Sequence, residues 1–222
     1  MSERQPMLSL ILGSASTSRA RVLRGAGVRF TQLVSTVDED AELQAAEDTG
    51  TAPGTPAQMA AFLARIKAES VAQNPTAAGA FVLGCDSVFE LDGVPYGKPY
   101  TEEKAIQRWQ LMRGKTGILH TGHTLIDNRP DSAGFGTAVS QLSSSHVSFA
   151  EPTDEQLHRY VKTGEPLGCA GGFTIDGHAA AFVTEVRGDH NAVIGVSVSV
   201  LADLLARLGA DITQLWGAPA DD

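Results

Sequence analysis

Apolar residues recur along this chain in short blocks, some at strand spacing and some at helical spacing. Residues 8–12 form an apolar run of strand length. A small-residue stretch, 13–19, follows, then a helix on which Val22, Leu23 and Ala26 share a face and Gly27 supplies the stop. Residues 29–35 are predicted as a second strand. Residues 44–55, rich in Ala, Thr, Gly and Pro, are predicted as a mobile loop. The next helix is the best marked. Thr55 is its N-cap, Pro56 takes the first helical position, Gln58 completes a capping box, and Met59, Leu63 and Ile66 form the buried stripe.

Residues 80–83 predict a strand that runs into a lone carboxylate, Asp86, before extended chain resumes at Val88. Asp92-Gly93 signals a hairpin that returns Lys98, flanked by Gly97 and Pro99, on backbone expected to have special dihedrals. A helix starts at Thr101, carries Glu102 and Glu103 in its positive first turn, buries Ile106, Trp109 and Met112, and ends at Gly114. Strands at 118–126 and 144–149 are separated by a polar segment, 128–143, expected to be a flexible loop. A further helix runs from Thr153 to Lys162 and stops at Gly164. Then come a strand at 179–186, a turn at 188–195, and a closing helix at 196–208 with Val200, Leu204 and Leu208 on one face. The tail, about 217–222, is expected to be disordered.

Composition narrows the choices. With 222 residues and 42% hydrophobic content, the chain suits one large domain, or two small lobes sharing a core, and not a disordered polymer. A net charge of -9 argues against nucleic-acid partners and against adhesion to anionic membrane. An anionic ligand would therefore need local positive groups or a metal ion. The run at 8–12 is too short for a signal peptide or a membrane span, and no later run reaches spanning length. Cys85 and Cys169 lack metal-type spacing and fit free thiols in a reducing cytoplasm.

Several residues carry candidate chemistry. Asp86, with Lys98 returned beside it by the hairpin, suggests work on a polyanion. A strand, a small-residue turn and a helix start place Ser14, Ser16 and Arg19 where donors could hold an anion, or the serines simply cap the helix. No Gly-Lys-Ser/Thr follows, so this is not a Walker loop. Asp38-Glu39-Asp40 is either a solvated charge run or, placed after a strand, a source of carboxylates for a hard divalent cation. Lys67 lies one turn after Leu63 and reaches either solvent or a cleft. Gly171-Gly172 gives either bare backbone for a flat ligand or a simple bend. His120 and His123, three apart in a strand, point to opposite faces and are not expected to share a metal. Glu90 and Asp92 are taken as solvent face and turn.

Taken in order, these segments resemble the Maf family of house-cleaning nucleotide pyrophosphatases. The matching pieces are Leu12-Gly13-Ser14-Ala15-Ser16-Thr17-Ser18-Arg19, Val37-Asp38-Glu39, Lys67-Ala68, Gly84-Cys85-Asp86-Ser87-Val88, Leu91-Asp92-Gly93 and Gly97-Lys98-Pro99. Thr121-Gly122, Tyr160-Val161, Gly164-Glu165-Pro166, Ala170-Gly171 and Val193-Ile194-Gly195 complete the series. The resemblance implies an α/β fold similar to inosine-triphosphate pyrophosphatases: a bent mixed sheet flanked by helices, with two lobes around a deep cleft. It also implies cytoplasmic location, homodimers as a common state, and hydrolysis of a nucleoside triphosphate to the monophosphate and pyrophosphate. By position, Asp86 matches the proton acceptor, and Arg19, Lys67 and Lys98 the basic phosphate contacts. Asp38 and Glu39 match an acidic pair that, with Asp86, would hold Mg²⁺ or Mn²⁺. The competing reading is a non-catalytic nucleotide-sensing regulator of cell division, which would not need Asp86, Lys67 and Lys98 together.

The resemblance also bears on which base is read. Ser18 stands where the dTTP/UTP-selective type has arginine and the 7-methyl-GTP-selective type tryptophan. Ser87 replaces their threonine or glutamine, and Asp176 their glutamine or glutamate. An acid can accept both N1–H and N2–H of a guanine edge, so Asp176 favours a guanine-type or modified purine. Serines at 18 and 87 leave a roomier pocket and equally support broad specificity. Gly117 and Ala192 depart from the histidine and the Ser or Asn common in the family.

Overall fold

The computed structural model describes residues 8–217. One mixed sheet runs β2-β1-β3-β5-β6-β7, with β4 paired to β3. The strands are β1 (Leu10–Leu12), β2 (Thr31–Gln32), β3 (Ala80–Leu91), β4 (Val94–Tyr96), β5 (Thr116–Asn128), β6 (Ala138–Phe149) and β7 (Val183–Arg187). The helices are α1 (Thr17–Gly25), α2 (Glu39–Asp48), α3 (Pro56–Ala72), α4 (Glu102–Met112), α5 (Asp154–Val161), α6 (His190–Ile194) and α7 (Val198–Arg207). β1 is parallel to β2 and β3, and the other pairings are antiparallel.

The central strand differs from the expectation. β3 does not stop before Asp86: it pairs with β5 without interruption from Ala80↔Asn128 to Glu90↔Ile118. Ladder pairing on that side overrides the weak strand preference of Gly84 and Asp86. Phe81, Leu83 and Cys85 pack into one apolar cluster with Leu23 of α1 and Leu201 and Leu204 of α7. Phe89 and Leu91 pack into another with Trp109, Phe149, Leu157 and Phe173. The two clusters thus share two paired strands, since β5 also contributes Leu125 to the first and Leu119 to the second.

α3 lies almost on the sheet because small residues face each other there. Ala60, Ala64 and Ala68 are buried on the helix. A Cβ on Gly84 would come within 2.7 Å of the Ala68 nitrogen, and one on Gly122 would meet Ala60 and Ala61. The stripe is therefore mainly alanine, with Leu63, Ile66 and Val71, and Met59 only half-buried. Thr55 caps α3 through the Gln58 nitrogen, but the Gln58 side chain accepts from Gly54, so the capping box is displaced by one residue.

Other boundaries also move. Segment 44–55 is partly helix, because α2 extends to Asp48 with only Ala46 buried. Segment 128–143 is partly strand, since β6 begins at Ala138, and the remaining turn is tied by Asp127, Arg129 and Ser132. The second strand is only two residues long, 188–195 contains α6 capped by Asp189, and 178–182 is a 3₁₀ turn preceding β7. Gly217 bonds to the Gly27 carbonyl, and the rest of the expected disordered tail lies outside the described residues. Gly117 sits beneath the Phe89 ring, where a histidine side chain would not fit.

Candidate active site

The candidate site begins where β3 loses a neighbour. Pairing to β1 ends at Leu83, whose carbonyl accepts from the Gly13 nitrogen at 2.8 Å. Pairing to β4 resumes only at Phe89. Alternation along the strand turns the Cys85 and Ser87 peptide groups towards this open side. Asp86 lies between them, 8% exposed.

The close approach of α3 decides where Lys67 goes. Its ammonium lies 2.5 Å from Asp86 Oδ1 and 2.7 Å from Glu39 Oε1, between two carboxylates rather than in solvent. Glu39 is the first residue of α2, and Asp38 is its cap, with Oδ1 accepting from the Ala41 nitrogen at 3.1 Å. The acidic pair is therefore divided: Glu39 faces Lys67 while the Asp38 carboxylate is engaged at the start of α2. Burial pushes the Asp86 carboxyl above the usual carboxylate range, with Lys67 and Arg19 opposing that shift. The neighbouring Cys85 thiol is pushed up to about 12 by burial, which removes it as a nucleophile.

Opposite Asp86, the β1–α1 turn builds a second cluster. Ser16 Oγ caps α1 by accepting from the Arg19 nitrogen at 3.3 Å. Ser14 Oγ accepts from the Ser16 nitrogen at 3.2 Å and from Arg19 Nη1 at 3.1 Å. Arg19 also donates through Nε to the Gly195 carbonyl at 2.8 Å and through Nη2 to Ser87 Oγ at 3.2 Å. Ser87 Oγ bonds Thr121 Oγ1 at 3.0 Å, and Thr121 donates to the Ala192 carbonyl at 2.8 Å. Ser87 is thus a link in the support of Arg19. Thr121 and Gly195 belong to the family-like motifs, but nothing in their residue type announces this role.

The remaining candidates are more dispersed. Lys98 is exposed and makes no ion pair among the described residues. Its own φ is not in the left-handed region, and the left-handed residue next to it beyond Pro99 is Tyr100 at φ 62°. Ser18 is half-buried in the first turn of α1. Asp176 crosses to α1, where Arg21 donates to it, and it also accepts from Thr174. Gly171 packs against Phe89, so the glycine pair is not an open platform. Glu90 is not a solvent residue: it meets His120 Nε2 at 2.9 Å. His123 points the other way and accepts from the Ser197 nitrogen at 2.8 Å.

Among the described residues, no group of three or more His, Cys, Asp or Glu side chains is assembled to hold a metal. Glu39 and Asp86 nevertheless bracket one cationic point, the Lys67 ammonium. Two carboxylates of this kind fit a hard divalent ion that completes its oxygens from phosphate and water.

Comparison with known proteins gives a consistent family. The Maf-like protein family model matches residues 9–208. The chain is 48% identical over 218 residues to a nucleoside triphosphate pyrophosphatase of Streptomyces coelicolor, covering 98% of each chain. It is 42% identical over 219 residues to the one from Mycobacterium ulcerans, covering 96% of this chain and 98% of that protein. A HAM1 protein structure from Coxiella burnetii aligns at a TM-score of 0.38 and 20% identity, over 66% of this chain and 75% of that one, a loose likeness.

Proposed function

The chain belongs to the Maf-like protein family, and from that membership we propose that its cleft hydrolyses nucleoside triphosphates to the monophosphate and pyrophosphate, in house-cleaning of a cytoplasmic nucleotide pool. The observation that carries this reading is the buried Asp86 carboxylate at the open edge of β3, with Lys67 on one side and the Arg19 cluster opposite.

In the proposed reaction, water attacks the α-phosphorus. A P–O bond forms to the water oxygen, and the bond to the α,β-bridging oxygen breaks. Asp86 accepts the water proton, and its burial makes it a stronger base than an exposed carboxylate. Lys67 and Arg19 are the positive groups nearest Asp86, suited to the charge that grows on phosphate oxygens and leaving pyrophosphate. Ser14 accepts both of its hydrogen bonds, which leaves its hydroxyl proton for a ligand oxygen. Lys98 is free to swing onto the outer phosphates. A bound Mg²⁺ or Mn²⁺, held by Glu39 and Asp86, would lower the pKa of the attacking water and screen phosphate charge. A phosphate oxygen entering here would replace one of the two carboxylate partners of Lys67. Asp176, facing α1 across the cleft, reads the base and favours a guanine-type edge.

The deciding experiment is a panel of canonical and modified nucleoside triphosphates with Mg²⁺ or Mn²⁺, scored for both products. Equimolar monophosphate and pyrophosphate is the expected result. Orthophosphate release would point to a different phosphohydrolase, and no turnover of any nucleotide would favour a nucleotide sensor.

A further inference from the structure

Glu165 lies outside the reaction just described, yet it is one of the most heavily bonded carboxylates in the chain. It follows Gly164 in a 3₁₀ turn after α5, and its side chain is 17% exposed. Oε1 accepts from the Tyr160 hydroxyl at 3.0 Å and the Ala179 nitrogen at 3.1 Å. Oε2 accepts from the His178 nitrogen and from His178 Nδ1, both at 2.8 Å. Burial alone would raise this carboxyl, but the donors from His178, Ala179 and Tyr160 outweigh it and hold it low. The chain at 177–179 is wrapped tightly around the carboxylate. A Cβ on Gly177 would lie 2.7 Å from Glu165 Cδ, although the Gly177 dihedrals, φ -133° and ψ -150°, lie close to ordinary extended backbone. Asp176, the residue immediately before this wrapped segment, accepts from Arg21 of α1.

We propose that Glu165 is a positioning residue for base recognition: its carboxylate gathers the 177–179 backbone and so fixes the angle at which Asp176 faces α1. This rests on the reading of Asp176 as the base-contacting acid. All four bonds to Glu165 come from donors, so glutamine is a sharp probe. It keeps the shape but must turn its own N–H groups towards other donors.

The test compares kcat and KM for guanosine and uridine triphosphates in wild type, Glu165→Gln and Asp176→Asn, and in the double variant. Glu165→Gln should shrink the ratio of the two kcat/KM values about tenfold, through KM of the preferred nucleotide, with kcat on the poorer one within about twofold. In the Asp176→Asn background it should add little, because both changes act through one contact. Gly177→Ala, whose backbone alanine can adopt, should produce the same loss and serves if Glu165→Gln does not fold. An unchanged ratio in folded variants overturns the proposal, as do fully additive effects or a wild type that treats both bases alike. A wild type that releases pyrophosphate from neither nucleotide overturns the hydrolytic reading beneath it instead.

Discussion

The Lys67 ammonium sits 2.5 Å from Asp86 in a site where burial works against the carboxylate and the ammonium works for it. The pair keeps a base buried yet ionisable, and four expected outcomes follow from it and from its surroundings.

Asp86→Asn should lower kcat by at least about a thousandfold, the scale of a lost general base. The fold should persist. Because burial raises the Asp86 pKa, its charged form costs folding free energy as pH rises through that value, so the amide should not lower the melting temperature at pH 8. Calorimetry beside steady-state kinetics checks both halves, and a loss of activity that tracks unfolding would contradict the assignment.

Lys67→Met removes the largest charge that lowers the Asp86 pKa. The acid limb of the kcat/KM profile reports deprotonation of the base, so it should move to higher pH. The plateau should fall by about a hundredfold through lost stabilisation of phosphate charge. A pH series from 5 to 10 reads both, and a lower plateau with an unmoved limb would separate Lys67 from Asp86.

Arg19→Lys keeps the charge but gives up the fork that reaches Gly195, Ser14 and Ser87 together. We expect a rise of about tenfold in KM, with a smaller fall in kcat, whereas Arg19→Ala should lower both. Equal kinetics for lysine and arginine would mean that charge alone is needed.

His123 is fully buried, with its pKa lowered to about 4 by burial, then by Arg19, against smaller opposing effects from Gln141, Asp189 and Thr121. The folded state therefore binds fewer protons than the unfolded one between about pH 6.5 and 4. Its stabilising contribution is complete above the unfolded pKa and falls with pH by about 1.4 kcal/mol per unit across that window. Other groups, Asp86 among them, titrate in both proteins, so this slope should appear in the difference between urea melts of wild type and His123→Gln across that window.

What the sequence disclosed depended on whether a segment carried its own local signal. The Asp92-Gly93 turn, the Thr55 and Thr153 caps and the Leu204 face of α7 were all legible from side-chain chemistry. α2 was not, because it buries only Ala46 and has no apolar stripe to show periodicity. The first half of β6 escaped for the opposite reason: its serines and Gln141 are polar on both faces, and long-range pairing with β5 makes it a strand. At the site, Asp86, Lys67 and Glu39 were placed by family likeness, but their convergence on one ammonium required the close seat of α3 on Gly84 and Gly122. The Arg19 anchor could not be read at all, since one of its partners is a backbone carbonyl at Gly195.

The unbroken course of β3 has a mechanical consequence. Both apolar clusters are carried on one two-stranded ribbon, β3 with β5, and no loop interrupts β3 beside Asp86 to act as a hinge. The width of the cleft is therefore set by the twist of that ribbon, and a ligand that widens it must bend a strand paired along its whole opposite edge. Substitutions in either apolar cluster should thus reach the reaction centre as changes of gauge, without touching it.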